Sequence, residues 1–380
     1  MSAREAALAM EDGTVFVGRS FGAEVDVDGE VVFNTGMTGY QEICTDPSYR
    51  GQMVLLTHPQ VGNYGISFAA EEAAHPLLTA LLVRELADFP NHWDSHDDLS
   101  AYLKRWSVPG LEGIDTRALT RRLRNVGTLR AVLRQAGPAG FSADDLARVA
   151  AEARNVTPIS EKLLIPEVSG LSPAPDLEST RQSRIALVDY GYKANIARSL
   201  QRRGAIVDLV RWDVGFDGIM ESNPDAILLS NGPGDPAQLA DAVETARRLI
   251  PTGIPVMGIC LGHQIIGQAA GANTTRLPFG HHGGNHPVKD QQTGRVAITS
   301  QNHEFQVEAG PALDASGFDV SHLSLNDGSV EGLRHRELPV FSVQFHPEGC
   351  PGPQDSQPQF DHLFELIARR RASRATGVPA

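Results

Sequence analysis

Hydrophobic and polar residues alternate through the first part of the chain, from residue 5 to about residue 70. The stretches TVFVGRSFG, AEVDVDGEVVFNTG and GQMVLLTH show a period of two or short apolar runs broken by glycine, which predicts strands. Between residues 96 and 150 the spacing becomes helical, with Ser or Asp at the starts and glycine at the ends. This pattern predicts an N-terminal, β-rich α+β domain, which we assign to residues 1–168.

The pattern changes again in the second half of the chain. Short apolar strands such as RIALVDY, AILLS and PVMGIC alternate there with helical segments such as DAVETARRLI. This alternation predicts an α/β domain over residues 184–380, with a mostly parallel sheet flanked by helices. Residues 169–183, rich in Ser and Pro, are predicted to be a linker.

Composition narrows the functional classes. A length of 380 residues favours two domains, and a net charge of −13 argues against nucleic acid or an anionic membrane as the partner. No apolar run approaches the roughly 18 residues of a membrane span, and the N-terminus lacks the pattern of a secretory signal. Three cysteines without disulfide or metal-ligand spacing favour a reducing compartment, so we expect a cytoplasmic protein.

One of the three cysteines, Cys260, lies in the sequence GICLGHQIIG, where an apolar strand meets a helix. Gly-x-Cys-x-Gly at such a junction has the form of a nucleophile elbow, with the helix N-terminus favouring a thiolate. A small buried cysteine at a strand end is the alternative, since cysteine is among the most buried residue types. A nucleophile also requires a base and a group that orients the base.

The strongest base candidate among the 13 histidines is in PVFSVQFHPEG. His346 follows an apolar strand, and Pro347 favours an extended backbone that places Glu348 on the same side as His346. A solvent-facing turn is the alternative interpretation. Together with Cys260, the pair predicts a Cys260–His346–Glu348 triad.

An oxyanion hole requires two amide donors. Leu261, directly after the candidate nucleophile, offers one, and the loop SNGPGDP with Gly232 and Gly234 offers the other. GPGDPA also matches a dinucleotide fingerprint, but its two prolines remove amide donors that a pyrophosphate requires. No phosphate-binding loop is found in the sequence, so we expect no cofactor in this chain.

The motifs SNGPGDP, GICLGHQ and QFHPE, in this order, resemble the class I glutamine amidotransferase domain. FNTGMTGYQEICTDPSYRGQMV, HPQVGNYGI, IDTRALTRRLRNVGTLRAVL and GHHGGNHPV are similar to the small subunit of carbamoyl-phosphate synthetase, across nearly the whole chain.

The resemblance implies that the chain hydrolyses L-glutamine to glutamate and ammonia through a γ-glutamyl thioester. Ammonia would pass to a large subunit that makes carbamoyl phosphate from bicarbonate and two ATP, for arginine and pyrimidine biosynthesis. ATP and magnesium are expected on that subunit, and no metal in this chain. The implied assembly is a heterodimer, with a higher oligomer left open.

The resemblance also implies a set of glutamine contacts, with Ser48 contributed by the first domain. The family usually has glycine where this chain has Glu304, and a glutamate would be strained there if the backbone required a positive φ. The contacts match Ser48, Gly232, Gly234, Leu261, Gln264, Asn302, Glu304 and Phe305.

Three further features are left with alternatives. Lys193 could meet acidic groups near the site or be a surface lysine at a helix start. His281, His282 and His286 of GHHGGNH lie in a predicted flexible glycine-rich loop, and no acid or cysteine is expected to complete a metal-ligand set with them. A stand-alone γ-glutamyl hydrolase and a non-catalytic regulatory subunit are the rival functions; the intact triad argues against the latter.

Overall fold

The computed structural model describes residues 4–173 and 183–376. The chain divides into two compact units, one formed by Met1–Leu164 with Pro278–Gly283 and the other by Ile165–Leu277 with Gly284–Ala380. Most of the predicted linker, residues 174–182, lies outside the described residues. Among the described residues, no helix combines the length and apolar character needed to cross a bilayer.

The N-terminal unit is built around a barrel. Within the described part of the chain, seven of its strands close into a ring in the order β1-β2-β8-β6-β4-β3-β9, while β5 and β7 form a small separate pair. The strands are β1 (Glu5–Met10), β2 (Val15–Gly22), β3 (Val27–Asn34), β4 (Gln52–Leu56), β5 (Gln60–Val61), β6 (Ala80–Leu82), β7 (Glu85–Leu86), β8 (Pro109–Glu112) and β9 (Leu129–Gln135). The prediction of a β-rich α+β architecture is confirmed, although the closure into a barrel was not foreseen.

Three helices of this unit begin at the Asp or Ser residues that the sequence indicated as caps. Asp98, Asp115 and Ser142 each accept a backbone N–H from the first turn, and Ser142 forms a reciprocal capping box with Asp145. These caps satisfy amide groups that would otherwise lack partners at the helix starts. The helices are α1 (Tyr40–Thr45), α2 (Leu99–Arg105), α3 (Thr116–Val126) and α4 (Ala143–Ala153).

The C-terminal unit is a layered α/β structure. Its strands are β10 (Ser183–Asp189), β11 (Ala205–Arg211), β12 (Ala226–Leu229), β13 (Val256–Ile259), β14 (Thr274–Asp290), β15 (Val296–Val307), β16 (Phe318–Ser324), β17 (Val330–His335) and β18 (Val340–Val343). Its helices are α5 (Ala194–Arg202), α6 (Gly215–Met220), α7 (Ala240–Leu249), α8 (Leu261–Ala269), α9 (Pro311–Ala315) and α10 (Pro358–Thr376).

These strands form one sheet in the order β11-β10-β12-β13-β18-β17-β15-β14-β16. The first five strands pair in parallel, whereas β17 pairs antiparallel with β15, β16 and β18, and β14 pairs antiparallel with β16. The predicted mostly parallel sheet is therefore correct only for the first part of the sheet. The strands after β13 are joined without long helical crossovers, which antiparallel neighbours do not require.

The predicted flexible loop GHHGGNH is instead part of strand β14. Glycine-rich backbone is flexible by itself, but β14 is hydrogen-bonded within the sheet, and this pairing holds its backbone extended.

Strand β10 shows why the parallel region is rich in apolar residues. Ile185 and Leu187 pack into the core on one face of the sheet, and Ala186 and Val188 pack into the core on the other. Both faces are covered, so successive side chains are all buried. The carboxyl ends of these strands therefore lie together at one edge, where polar groups can be held by a rigid frame.

Candidate active site

Cys260 occupies the sharp turn between β13 and α8. Its backbone has φ 53° and ψ −102°, a positive φ that non-glycine residues rarely adopt and that costs about 1–3 kcal/mol. Its N–H donates to the carbonyl of Val343 (2.9 Å), which ties the turn to the neighbouring strand β18. The side chain is buried, and the thiol donates to the carbonyl of Asn302 at 3.5 Å.

The flanking glycines of this turn are required by close backbone contacts. A Cβ at Gly262 would lie 2.1 Å from the carbonyl oxygen of Leu229, and one at Gly258 would lie 2.6 Å from that of Gly262. Neither neighbour is the end of a flexible side chain, so only glycine fits. The Gly-x-Cys-x-Gly pattern therefore reflects the packing of helix α8 against strands β12 and β13.

His346 and Glu348 lie just after β18, beside the end of β13 in the parallel part of the sheet. The N–H of His346 donates to the carbonyl of Ser300 (2.9 Å), fixing this extended segment against β15. Nδ1 of His346 lies 2.6 Å from Oε1 of Glu348, and both side chains are buried. An imidazole held in this way presents its other nitrogen for proton transfer.

The charges of the cluster reinforce one another. Burial disfavours the imidazolium, but the carboxylate of Glu348 and the electrostatic influence of Cys260 raise the pKa of His346 to about 10. Burial would raise the pKa of Glu348, but Lys193 and His346 lower it to about 2. The structure thus brings Cys260, His346 and Glu348 together as one electrostatically coupled group.

Lys193 belongs to this cluster, which decides between its two interpretations. Its side chain is buried, and Nζ lies 3.1 Å from Oε1 of Glu348 and also donates to the carbonyl of Gly349.

Asn195, two residues further on, donates from Nδ2 to the carbonyl of Glu348 at 2.6 Å. Asn195 was missed in the sequence; its position in the first turn of α5, the helix that follows the carboxyl end of β10, is the signal that could have found it.

The residues expected to contact glutamine gather around the same turn. Gln264, one turn into α8, donates from Nε2 to the carbonyl of Phe305 (2.9 Å) and to Oε1 of Gln344 (3.2 Å). Leu261 is the first residue of α8, so its N–H is among those that have no partner within the helix. Asn302 and Phe305 lie on β15, and their carbonyls accept from Cys260 and Gln264.

The loop after β12 passes close to the elbow. A Cβ at Gly232 would lie 2.3 Å from the carbonyl of Tyr190 and 2.9 Å from Cδ2 of Leu261, and Gly234 has φ 93°. Asn231 fixes the start of this loop by accepting from the N–H of Lys193 (3.1 Å). The glycines thus permit backbone to approach the start of α8 where a side chain would not fit.

Glu304 lies in extended backbone on β15 and is not among the described residues with a positive φ. The strain considered for glutamate at this position is therefore absent. Its buried carboxylate is paired with Arg276, whose Nη2 lies 3.0 Å from Oε2.

His263 and Ser48 lie outside the triad. His263 is buried on α8 with Nδ1 2.9 Å from Oγ of Ser342, and burial together with His322 lowers its pKa to about 3. Ser48 belongs to the N-terminal unit, where it is buried and its N–H donates to Asp46 at 2.9 Å. The role of Ser48 stays a prediction.

Two family models match the chain: "Carbamoyl-phosphate synthase small chain, CPSase domain" over residues 8–133 and "Glutamine amidotransferase class-I" over residues 186–366. The carbamoyl phosphate synthase small chain of Symbiobacterium thermophilum is 46% identical over 368 residues, covering 97% of this chain and all of the relative. The chain belongs to the carbamoyl phosphate synthase small chain family.

Further members of this family are similar over the same length. The small chain of Bacillus caldolyticus is 44% identical over 95% of this chain and 96% of its own. The pyrimidine-specific small chain of Bacillus subtilis is 43% identical over 95% of each chain. Cys260, His346 and Glu348 all fall within the amidotransferase match, whereas Ser48 falls within the small-chain match.

Proposed function

We propose that this chain is the glutamine-hydrolysing subunit of a carbamoyl phosphate synthase. The observation that carries the proposal is the buried Cys260–His346–Glu348 cluster in a chain 46% identical to a carbamoyl phosphate synthase small chain over 97% of its length. The reaction converts glutamine and water into glutamate and ammonia.

In the proposed mechanism, the sulfur of Cys260 attacks the side-chain carbonyl carbon of glutamine. His346 takes the thiol proton and donates it to the amide nitrogen of the substrate. The C–N bond then breaks, ammonia departs, and the glutamyl group remains on Cys260 as a γ-glutamyl thioester. Glu348, oriented by Lys193, holds the ring of His346 and stabilises the imidazolium. His346 then activates a water molecule, which cleaves the thioester and releases glutamate.

Charge on the carbonyl oxygen develops in each tetrahedral intermediate. The N–H of Leu261 at the start of α8 and an amide of the Gly232–Gly234 loop are suited to stabilise it, because both belong to tightly packed backbone that needs no rearrangement. Gln264, Asn302, Glu304 and Phe305 lie around the elbow and are proposed to hold the amino-acid end of glutamine.

Ammonia released here serves a large chain, in which ATP and magnesium are used to make carbamoyl phosphate for arginine and pyrimidine biosynthesis. Membership of a small-chain family supports the existence of such a partner. We propose a cytoplasmic assembly that contains one heterodimer of small and large chains as its unit.

Cys260→Ala tests the proposal. Glutamine-driven synthesis by the purified complex should fall by about 10⁴-fold or more, because the nucleophile is removed, while synthesis from added ammonia should be retained. Cys44→Ala, which removes a buried thiol of the N-terminal unit, is the matched control and should retain both activities.

The rival functions give different results in the same assay. A stand-alone hydrolase would hydrolyse glutamine at full rate without the large chain. A regulatory subunit would hydrolyse none even in the complex. Glutamine hydrolysis by Cys260→Ala at the parental rate would show that the nucleophile is assigned wrongly.

A further inference from the structure

The most exposed aromatic side chains of the described residues lie on two neighbouring segments of the N-terminal unit. Trp93 is 89% exposed, Phe89 is 74% exposed and Phe68 is 71% exposed. We call the segments 63–68 and 87–97 together the aromatic loop pair. Aromatic side chains left in solvent at this level are typical of surfaces that become buried against a partner.

Hydrogen bonds hold the two segments against each other. The N–H of His96 donates to the carbonyl of Ile66 (2.9 Å), the N–H of Ile66 donates to that of Asp97 (3.0 Å), and the N–H of Asn91 donates to that of Asn63 (2.9 Å). The ring of Phe68 stacks on that of His96 with centroids 4.5 Å apart. The aromatic rings are therefore displayed on a fixed backbone.

The core beneath also anchors the loop pair. The buried amide of Gln41 donates to the carbonyl of Ser67 (2.7 Å) and accepts from its N–H (2.8 Å), while Tyr40 donates from its hydroxyl to the carbonyl of Gly65 (2.7 Å). A surface that is already ordered loses less conformational entropy when it binds. These anchors therefore prepare the exposed rings for docking.

Charge indicates which partner fits. The stretch 84–98 contains five acidic residues, Glu85, Asp88, Asp94, Asp97 and Asp98, and one basic residue, Arg84; Asp97 also pairs with Arg105, which leaves this surface net acidic. A second copy of the chain would bring acid against acid, and an anionic lipid surface would be repelled as well. The complementary surface is an apolar pocket with a basic rim.

We propose that the aromatic loop pair docks into an apolar, basic-rimmed pocket of the large chain, with Phe89 and Trp93 as the anchoring side chains. This inference rests on the proposed function, which supplies the large chain as the partner. The exposed acids around the rings contribute to the rate and specificity of association more than to the affinity.

The test uses the full-length small chain with the Phe89→Ala/Trp93→Ala double substitution and measures its Kd for the purified large chain. We expect binding to weaken by about tenfold or more, because two aromatic anchors are lost. The Tm and the glutaminase rate of the small chain alone should not change. Val126→Ala, on another exposed apolar residue of the same unit, is the control and should bind normally.

A charge variant keeps the proposal testable if the double variant folds poorly. Asp88 is exposed, and Asp88→Lys should slow association with the large chain, with the difference from the parental chain shrinking as salt is raised. An unchanged Kd for a folded double variant would overturn the proposal, as would loss of small-chain self-association with binding to the large chain intact.

The same experiment separates this inference from the proposed function. If the parental chains make no carbamoyl phosphate from glutamine, the function is wrong whatever the loop variants do. If the parental complex is active and the folded double variant binds and works like it, only the docking surface is wrong.

Discussion

Arg276 and Glu304 form a salt bridge beside the candidate active site, with Nη2 and Nε of the guanidinium 3.0 and 3.2 Å from Oε2 of the carboxylate. Glu304 lies between Asn302 and Phe305, whose carbonyls accept from Cys260 and Gln264. Arg276 also lowers the pKa of Asp235, although burial raises it overall. Since Arg276 lies on β14 and Glu304 on β15, the salt bridge joins these two strands.

Removing the guanidinium with Arg276→Ala should leave the buried carboxylate of Glu304 without this partner. We expect a loss of about 1–3 kcal/mol in the free energy of unfolding, limited because Arg276 is itself partly exposed. The KM for glutamine should rise because the segment Asn302–Phe305 is less firmly held. Thermal unfolding and steady-state glutaminase kinetics measure the two effects.

A double-mutant cycle with Glu304→Gly provides the control, since it removes the carboxylate and restores the residue usual in the family. In the Glu304→Gly background, Arg276→Ala should have little further effect on stability or on KM. Equal effects of Arg276→Ala in both backgrounds would show that the two residues are not coupled.

Lys193→Gln should impair glutamine hydrolysis although Lys193 does not belong to the triad. Lys193 is the largest opposing charge that keeps the pKa of Glu348 low, so its loss should raise that pKa from about 2. A carboxylate with a lowered pKa stabilises the fold above its ordinary value, 4.5, and loses that contribution as pH falls through the lowered value. The variant should therefore lose stability and activity at a higher pH than the parental chain during acidification.

The free energy of unfolding and kcat of Lys193→Gln and of the parental chain are measured between about pH 3 and pH 8, which brackets the ordinary pKa of a glutamate. Lys289→Gln, a partly exposed lysine of the same unit, is the control and should follow the parental curve. If stability and kcat of Lys193→Gln fell at the same acidic pH as those of the parental chain, the role assigned to Lys193 would be contradicted.

The triad could be predicted because each member follows an apolar strand in a short, unusual motif. Cys260 lies between glycines that steric contacts require, and His346 and Glu348 share an extended segment after β18. Lys193 and Arg276 could not be assigned in this way. Their partners are 155 and 28 positions away in sequence, and only the folded sheet brings them together.

The same limit applies to the fold. Runs of buried residues predict parallel strands well, as in β10, where both faces are covered. Closure of the N-terminal barrel depends on the pairing of β1 with β9, more than a hundred residues apart, which local periodicity does not contain. Likewise, the glycines of β14 indicate a loop until the strand that pairs with it is known.

Cys260→Ala should lower the pKa of His346. In the parental chain, Glu348 and Cys260 hold that pKa near 10, above the ordinary 6.5, against the opposing effect of burial. A raised pKa stabilises the fold below about 6.5, and this contribution is lost as pH rises through the raised value. Without the electrostatic influence of Cys260, the loss should begin at a lower pH.

The ring resonances of His346 followed by NMR between about pH 6 and pH 10 measure this shift, and thermal unfolding over the same range measures its effect on stability. His263 is an internal control, because its pKa of about 3 keeps it neutral throughout. Titration of His346 near its ordinary value in both proteins would contradict the coupling to Cys260 and Glu348.

Gly262→Ala tests the steric frame of the elbow. Alanine in place of a helical glycine normally stabilises a protein by up to about 1 kcal/mol, but here its Cβ would lie 2.1 Å from the carbonyl oxygen of Leu229. We expect a net destabilisation of about 1–3 kcal/mol and a lower kcat, since α8 must move away from β12 and carry Leu261 with it. Gly137→Ala is the control, because a Cβ there meets no atom within 4 Å. Unfolding midpoints and glutaminase rates decide the matter, and a stabilised, fully active Gly262→Ala would show that the elbow tolerates a looser packing of helix and sheet.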